Sequence, residues 1–166
     1  MTWLARFFRH VWMSPFVLRS RFPASTLDAI EVAVITGEKS HRGQLRFAIE
    51  AELSTGQLWH GITSRQRALD VFSLLGVWDT EANNGVLIYV LLADRSVEII
   101  ADRGIHQHVG EARWRSICAE MEAYFRKGDF AVGSVSGVEK ISAELALHFA
   151  ANGTHKNEQP DRPVLL

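Results

Sequence analysis

Residues 83–106 read NNGVLIYVLLADRSVEIIADRGIH, and this stretch decides the fold. Val86 to Leu92 form a continuous apolar run, Ala93-Asp94-Arg95 mark a tight reversal, and Ser96 to Ala101 begin with polar and apolar residues in alternation. This pattern predicts two strands joined as a β-hairpin. Because a hairpin returns the chain to its starting edge, we expect the loop before the first strand and the loop after the second to lie together.

A third strand and a crossover helix are predicted upstream of the hairpin. Gln44 to Leu53 alternates between apolar and polar residues, which is typical of a half-exposed strand, and Ser64 to Leu75 has apolar residues at helical spacing. A helix that crosses between Gln44–Leu53 and Val86–Leu92 makes those strands parallel, with a right-handed connection. The starts of both strands then share one edge of the sheet, and the hairpin turn with Asp94 lies at the opposite edge.

Three further helices complete the predicted architecture. One begins at Ser25 as its N-cap and ends before Gly43, with Glu38 and His41 at its end. Two more, over Glu111–Lys127 and Ser136–Phe149, carry apolar stripes that indicate core. Cys118 lies within one of these stripes and is expected to be a buried, unreactive thiol. The predicted fold class is α/β, a single-domain α-β-α sandwich with one mixed β-sheet that contains a β-hairpin and is flanked by helices.

The composition fits one globular domain and argues against several functional classes. The chain has 166 residues, of which 47% are hydrophobic, and a formal net charge of −1. One core is enough for this length, and the charge gives no reason to expect a nucleic-acid partner. A single cysteine excludes an internal disulfide and a multi-cysteine metal site. The chain also lacks a Walker loop, a nucleophile elbow, His-Glu-x-x-His and Cys-x-x-Cys, which lowers the expectation of an enzyme.

We expect three parts along the chain, an N-terminal amphipathic arm over residues 1–22, a domain over 23–150 and a flexible C-terminal tail over 151–166. Within the arm, Thr2 to Met13 predict a short helix that Ser14-Pro15 ends. This helix has Trp3, Phe7 and Val11 on one stripe, with Arg6, Arg9 and His10 outside it.

Two interpretations of the arm stay open. Residues 1–13 either lie on a membrane surface or a membrane-bound partner, or pack over the domain's own core. The first 21 residues lack the pattern of a secretory signal, and no stretch approaches the roughly 18 apolar residues of a membrane span. The expected location is therefore cytoplasmic and peripheral to the membrane.

Polar residues with useful chemistry fall in the loops that the predicted topology brings together. Hard oxygen ligands for a divalent cation are offered by Asp79, Asn84 and Asp102. Proton transfer or nitrogen ligation is offered by His41 and His106, and Arg103 is a candidate anion clamp. Glu38 is close enough along the chain to join them. The alternative is structural, with these residues as helix caps, turn formers and ion pairs.

Three segments of the chain read LLGVWD at residues 74–79, NGVLIYV at 84–90 and DRSVEI at 94–99, and Gly104 follows them. Together they resemble the TPM-domain family. The similarity covers roughly residues 26–150, and the family includes thylakoid-lumen acid phosphatases and photosystem repair proteins. The resemblance implies the family fold, calcium binding and phosphatase activity, in a soluble bacterial-type member. The histidines in or beside the loops depart from the acidic pattern of the family and favour manganese or zinc over calcium.

Two functional hypotheses follow. In the first, a TPM-like domain binds calcium, manganese or zinc at the sheet edge and hydrolyses phosphate esters. In the second, a non-catalytic module docks to a membrane surface or a membrane-bound partner through residues 1–13.

Overall fold

The computed structural model describes residues 3–152 and 159–166 of the chain. Eight helices and four strands are present within these ranges. The helices are α1 (Trp3–Val11), α2 (Pro15–Arg21), α3 (Ala24–Glu38), α4 (Thr55–Trp59), α5 (Ser64–Leu74), α6 (Arg103–Val109), α7 (Glu111–Lys127) and α8 (Phe130–His148). The strands are β1 (Gln44–Glu50), β2 (Gly85–Leu91), β3 (Ser96–Ala101) and β4 (Val164–Leu165).

The strands form one mixed sheet in the order β3-β2-β1-β4. β1 is parallel to β2 with Gln44 opposite Gly85, and β2 is antiparallel to β3 with Val86 opposite Ala101. α3, α7 and α8 pack together on one face, and α5 packs on β2 and β3. The predicted α/β class, the hairpin and the parallel pairing are therefore confirmed.

Strand β1 is buried on both faces, which corrects the prediction of a half-exposed strand. Its apolar residues enter the larger core beneath α3 and α8. On the opposite face, Glu50 is only 7% exposed because it accepts hydrogen bonds from the Arg67 guanidinium and the Tyr89 hydroxyl. A buried charge is tolerated when it is paired and hydrogen-bonded, and both partners lie on elements distant in sequence.

Several helix boundaries differ from the predictions. The short helix α6 occupies the loop that was expected after the hairpin, and α2 and α4 occupy stretches for which no helix was predicted. Pro23 rather than Ser25 is the N-cap of α3. α8 begins at Phe130, six residues before the predicted Ser136. Its first turn is held by Phe130, whose ring packs on Phe22 and Phe125.

The C-terminal residues belong to the sheet rather than to a separate tail. β4 pairs with β1 in parallel, and the Arg46 guanidinium donates to the carbonyl of Pro160. Arg162 forms ion pairs with Asp28 and Glu31 of α3. Residues 153–158 of the predicted tail lie outside the described residues.

Within residues 3–152 and 159–166, no helix is both long and apolar enough to cross a bilayer.

Candidate functional site

The backbones of the three predicted loops meet at one edge of the sheet. The side-chain amide of Asn84 donates to the carbonyl of Arg42 at 3.2 Å, and the Asp102 N–H donates to the carbonyl of Gly85 at 2.8 Å. Gly104 lies so close to the carbonyl oxygen of Asn83 that a Cβ would overlap it. The convergence inferred from topology is thus present in the structure.

Two of the predicted site residues are buried in structural roles. Asn84 is 1% exposed, its N–H donates to Thr80 Oγ1, and its amide holds the Arg42 carbonyl. His41 is fully buried, with Nδ1 3.1 Å from the carbonyl oxygen of Gly43 and its backbone bridged to Ala150. A ring with no exposed surface cannot contact a dissolved phosphate ester in this conformation.

Three other predicted residues lie at the start of α6, a helix that the sequence did not indicate. Asp102 caps it, because its Oδ1 accepts the Arg103 N–H at 2.7 Å and its carbonyl accepts the His106 N–H at 2.9 Å. Arg103 is exposed and His106 is half-buried. The second oxygen of Asp102, Oδ2, is buried and has no hydrogen-bond partner among the described residues.

Asp79 is exposed in the loop after α5, where its N–H donates to the carbonyl of Gly76. Within residues 3–152 and 159–166, no three His, Cys, Asp or Glu side chains come together in a way that could hold a metal ion. Among the described residues of this edge, Asp102 Oδ2 is a buried side-chain oxygen without a hydrogen-bond partner, and it is not part of a metal-binding group. Glu38 lies apart and hydrogen-bonds Asp161, and burial, followed by that carboxylate, raises the pKa of Glu38 to about 8.

A second polar cluster occupies the opposite edge, beneath α1. Arg6 donates to both carboxylate oxygens of Asp94, with contacts of 2.8 to 3.1 Å, and His10 Nε2 lies 3.1 Å from Asp94 Oδ1. The backbone N–H of Leu53 donates to His10 Nδ1 at 2.9 Å. Because Nδ1 accepts, the proton of the neutral ring must sit on Nε2, which points at Asp94.

This cluster fixes α1 to the domain through its polar side chains. His10 is 1% exposed and Asp94 is largely buried. Burial alone would raise the pKa of Asp94, but hydrogen bonds from His10 and Arg6, together with the charge of Arg6, hold it well below its usual range. The carboxylate is therefore ionised at neutral pH, and the polar face of α1 is the inner face.

The outer face of α1 is apolar. Leu4, Phe8, Val11 and Trp12 are 59%, 50%, 49% and 80% exposed, and Phe16 of α2 is 78% exposed. At 3.6 residues per turn Leu4, Phe8 and Val11 lie on one side of α1, opposite Arg6 and His10. Trp12 directly follows α1 and continues the same side, since its N–H donates to the carbonyl of Phe8. The name outer face is used below for Leu4, Phe8, Val11, Trp12 and Phe16. The sequence signal for this arrangement was the spacing of Arg6, Arg9 and His10, which share the face away from Phe8.

The segment that carries the outer face is basic. No acidic residue precedes Asp28 in the sequence, and Arg19 and Arg21 are exposed on α2. The N-terminal segment therefore combines exposed apolar side chains with exposed arginines and contains no carboxylate side chain of its own.

The chain matches a family profile described as the TPM domain over residues 20–144. The match begins inside α2, so α1 lies outside it. Among curated proteins, no sequence matches the chain significantly.

Two solved structures resemble the chain. The NMR structure of the BA42 protein from the psychrophilic bacterium Bizionia argentinensis is 31% identical, with a TM-score of 0.75, and the similarity covers 86% of this chain and 93% of that one. The NMR structure of the N-terminal domain of a P. gingivalis protein is 19% identical, with a TM-score of 0.62 and coverage of 80% and 82%. The second likeness concerns the fold alone.

Proposed function

This chain belongs to the TPM-domain family, and we propose that it is a peripheral member that docks onto an anionic membrane surface through the outer face of α1 and α2. The observation that carries the proposal is the orientation of α1. Its residues Arg6 and His10 form hydrogen bonds with Asp94 inside the protein, and its large apolar residues are exposed to water.

Burial of the outer face against another apolar surface is energetically favourable. Full burial of a large apolar side chain is worth about 1.5–3 kcal/mol, and α1, Trp12 and α2 together expose five such side chains. An exposed apolar patch rimmed by polar residues marks an interaction site. Because Asp94 fixes the helix in advance, docking does not have to order α1 first, which lowers the cost of binding.

A lipid surface fits the outer face better than a protein partner, because of its residue types and charge. Trp and Phe on an apolar face with arginines beside it are typical of helices that lie in a membrane interface. Anionic lipids attract such basic segments by about 1 kcal/mol per Lys or Arg near the surface. Anionic lipids are abundant in the cytoplasmic leaflet, and the predicted cytoplasmic location is part of this proposal.

Vesicle co-sedimentation tests the proposal. We expect the protein to bind vesicles with an anionic lipid and to bind neutral vesicles weakly, and we expect the Phe8→Ser, Trp12→Ser double variant to lose binding by about tenfold or more. Leu147→Ser is the matched control, since Leu147 is 73% exposed on α8. Equal vesicle binding by the wild type and the double variant contradicts the proposal. A dimer of the wild type that the double variant abolishes would instead assign the outer face to a second copy of the chain.

A second candidate function, favoured by the buried, unpaired Oδ2 of Asp102, is binding of calcium, manganese or zinc at the opposite edge. Asp79 and Asn84 are the other proposed ligands, and they would have to move toward Asp102. Hydrolysis of phosphate esters belongs to this candidate, with Arg103 and His106 on α6 as the groups that can reach an ester.

Thermal denaturation separates the two candidates. If the edge binds a cation, millimolar manganese, zinc or calcium raises the melting temperature by mass action, and Asp102→Ala removes that increment. Asp129→Ala is the control, because Asp129 is an exposed carboxylate elsewhere. A melting temperature that responds to none of the three metals contradicts the metal site and leaves the docking proposal intact.

A further inference from the structure

A cavity of about 340 Å³ lies beneath α1, at the hairpin-turn end of the sheet. It is bounded by α1, the turn between β2 and β3, the last turns of α7 and the start of α8. Its size falls in the range of small-molecule sites. None of the residues of the predicted metal edge lines it.

Four arginines from four different elements line this cavity. Arg9 comes from α1, Arg21 from α2, Arg95 from the hairpin turn and Arg126 from α7. Glu122 is the one carboxylate in the lining. Like charges gathered in one partly enclosed space repel one another unless an anion offsets them.

The negative charges nearby do not neutralise the four guanidinium groups. Glu122 Oε1 accepts the N–H of Val97 at 3.0 Å, and Oε2 is 3.9 Å from the Arg126 guanidinium. Asp94 is shared between Arg6, His10 and a long 3.4 Å contact from Arg9. Positive charge is therefore in excess around the cavity.

Two hydrogen-bond donors of the lining are buried without a partner among the described residues. They are Arg9 Nε and Ser96 Oγ. A buried donor left unsatisfied costs about 1–3 kcal/mol, and a ligand that brings acceptor oxygens recovers this cost.

The backbone conformation at Arg95 also indicates that the cavity binds an anion. Arg95 has φ of 56°, the left-handed conformation that glycine and asparagine adopt most readily. A non-glycine residue there is held at a cost in free energy. The side chain at this strained position lines the cavity. A function of its positive charge in the cavity explains why an arginine occupies a position where the backbone conformation favours glycine.

We propose that this cavity binds a phosphomonoester, whose dianionic phosphate is held by Arg9, Arg21, Arg95 and Arg126. Planar guanidinium groups donate pairs of hydrogen bonds to phosphate oxygens, and several of them can surround three terminal oxygens. Met13, Phe125 and Phe130 supply an apolar wall for the organic part of the ligand. This site goes beyond membrane docking, because it requires no bilayer.

Titration calorimetry with inorganic phosphate and glycerol 3-phosphate tests the site. We expect saturable binding to the wild type, and a loss of about tenfold or more in Arg126→Gln and in Arg95→Gly, since each removes a charged pair of hydrogen bonds. Arg95→Gly is chosen because it relieves the left-handed strain, so its fold is not at risk. Lys127→Gln is the control, because it removes the same charge next to Arg126 and Lys127 does not line the cavity. Equal affinity in the wild type and both arginine variants, or no saturable binding, overturns the proposal.

Vesicles distinguish a lipid headgroup from a dissolved ester as the source of the phosphate. Phosphatidic acid carries a phosphomonoester and phosphatidylserine does not, so a preference for phosphatidic acid that glycerol 3-phosphate competes away assigns a lipid. Calorimetric binding without that preference assigns a dissolved ester, and both results support the site. The Phe8→Ser, Trp12→Ser variant should lose vesicle binding and keep its affinity for glycerol 3-phosphate, which separates failure of docking from failure of the cavity.

Discussion

At the scale of single residues, Asp94 determines how the N-terminal arm is used. It sits 84 positions from His10 and 88 from Arg6, yet it accepts hydrogen bonds from both. The sequence placed Asp94 correctly at the hairpin turn, but nothing local to either segment indicates the pairing. The outward direction of Phe8 and Trp12 is a consequence of that long-range contact.

Replacing Asp94 with Asn should release α1. Arg6 would keep its charge without a counter-charge, and we expect a loss on the order of 2 kcal/mol in the free energy of unfolding, less than for a fully buried pair. Urea denaturation measures the loss, and limited proteolysis after Arg6 reports release of the helix. Asp129→Asn, an exposed carboxylate, serves as control.

The acid dependence of stability should change in the same variant. Because the pKa of Asp94 is lowered in the folded state, its contribution is present above the unfolded pKa of about 4 and is lost as pH falls below that value. Asp94→Asn should therefore lose less stability than the wild type does as pH falls below about 5. Parallel acid profiles for the two proteins would show that α1 is held by other contacts.

At the scale of elements, the period of the apolar pattern and the length of the element determine whether a helix or strand can be predicted from the sequence. The hairpin was predicted because an apolar run and an alternating run, over strands of seven and six residues, flank a tight reversal, and α5 and α7 because their helical stripes extend over 11 and 17 residues. α7 has the predicted bounds Glu111–Lys127. α4 and α6 have five and seven residues, too few to show an apolar stripe. Their existence depends on capping, by Ser54 and Asp102 respectively.

Helix α2 shows how one local signal supports opposite interpretations. Ser14-Pro15 was taken to end the helix of the arm, and α1 does end before it, at Val11. The same pair also begins a helix, because Ser14 Oγ accepts the N–H of Phe16 and proline is well tolerated at the first helical position. This second helix carries Phe16 of the outer face and Arg21 of the cavity lining.

At the scale of the whole molecule, the predicted topology identified which loops meet at one edge of the sheet. It could not identify the hydrogen-bond partners of the side chains in those loops. The parallel pairing of β1 with β2 brought Arg42, Asn84 and Asp102 to one edge, as expected. The role of each side chain depends on its nearest partner, and Asn84 is occupied by the Arg42 carbonyl. The cavity lined by arginines could not be predicted from the sequence for the same reason, because its four arginines lie on four elements that come together only in the folded chain.

The two ends of the domain meet through Glu38 at the end of α3 and Asp161 beside β4, and this contact should make stability depend on pH. The pKa of Glu38 is raised to about 8, first by burial and then by Asp161, so the folded state holds a proton that the unfolded state releases near pH 4.5. Stability must therefore fall as pH rises from about 4.5 to about 8. Glu38→Gln should flatten this slope and stabilise the protein above pH 8, by on the order of 1 kcal/mol once solvent screening of a half-exposed group is allowed for.

Urea denaturation at several pH values measures the slope in the wild type, in Glu38→Gln and in Glu139→Gln, an exposed control on α8. Hydrogen exchange shows where the effect acts, because the Leu166 N–H donates to the Ile49 carbonyl next to β4. In the wild type, we expect the Leu166 amide to exchange faster at pH 8 than the pH dependence of the intrinsic exchange rate explains. In Glu38→Gln we expect no such excess. Together, the two results would place the proton at the junction of α3 with the C-terminal strand. An unchanged slope in Glu38→Gln would instead assign the pH dependence to other groups, and β4 would then be held by Arg46 and Arg162 independently of Glu38.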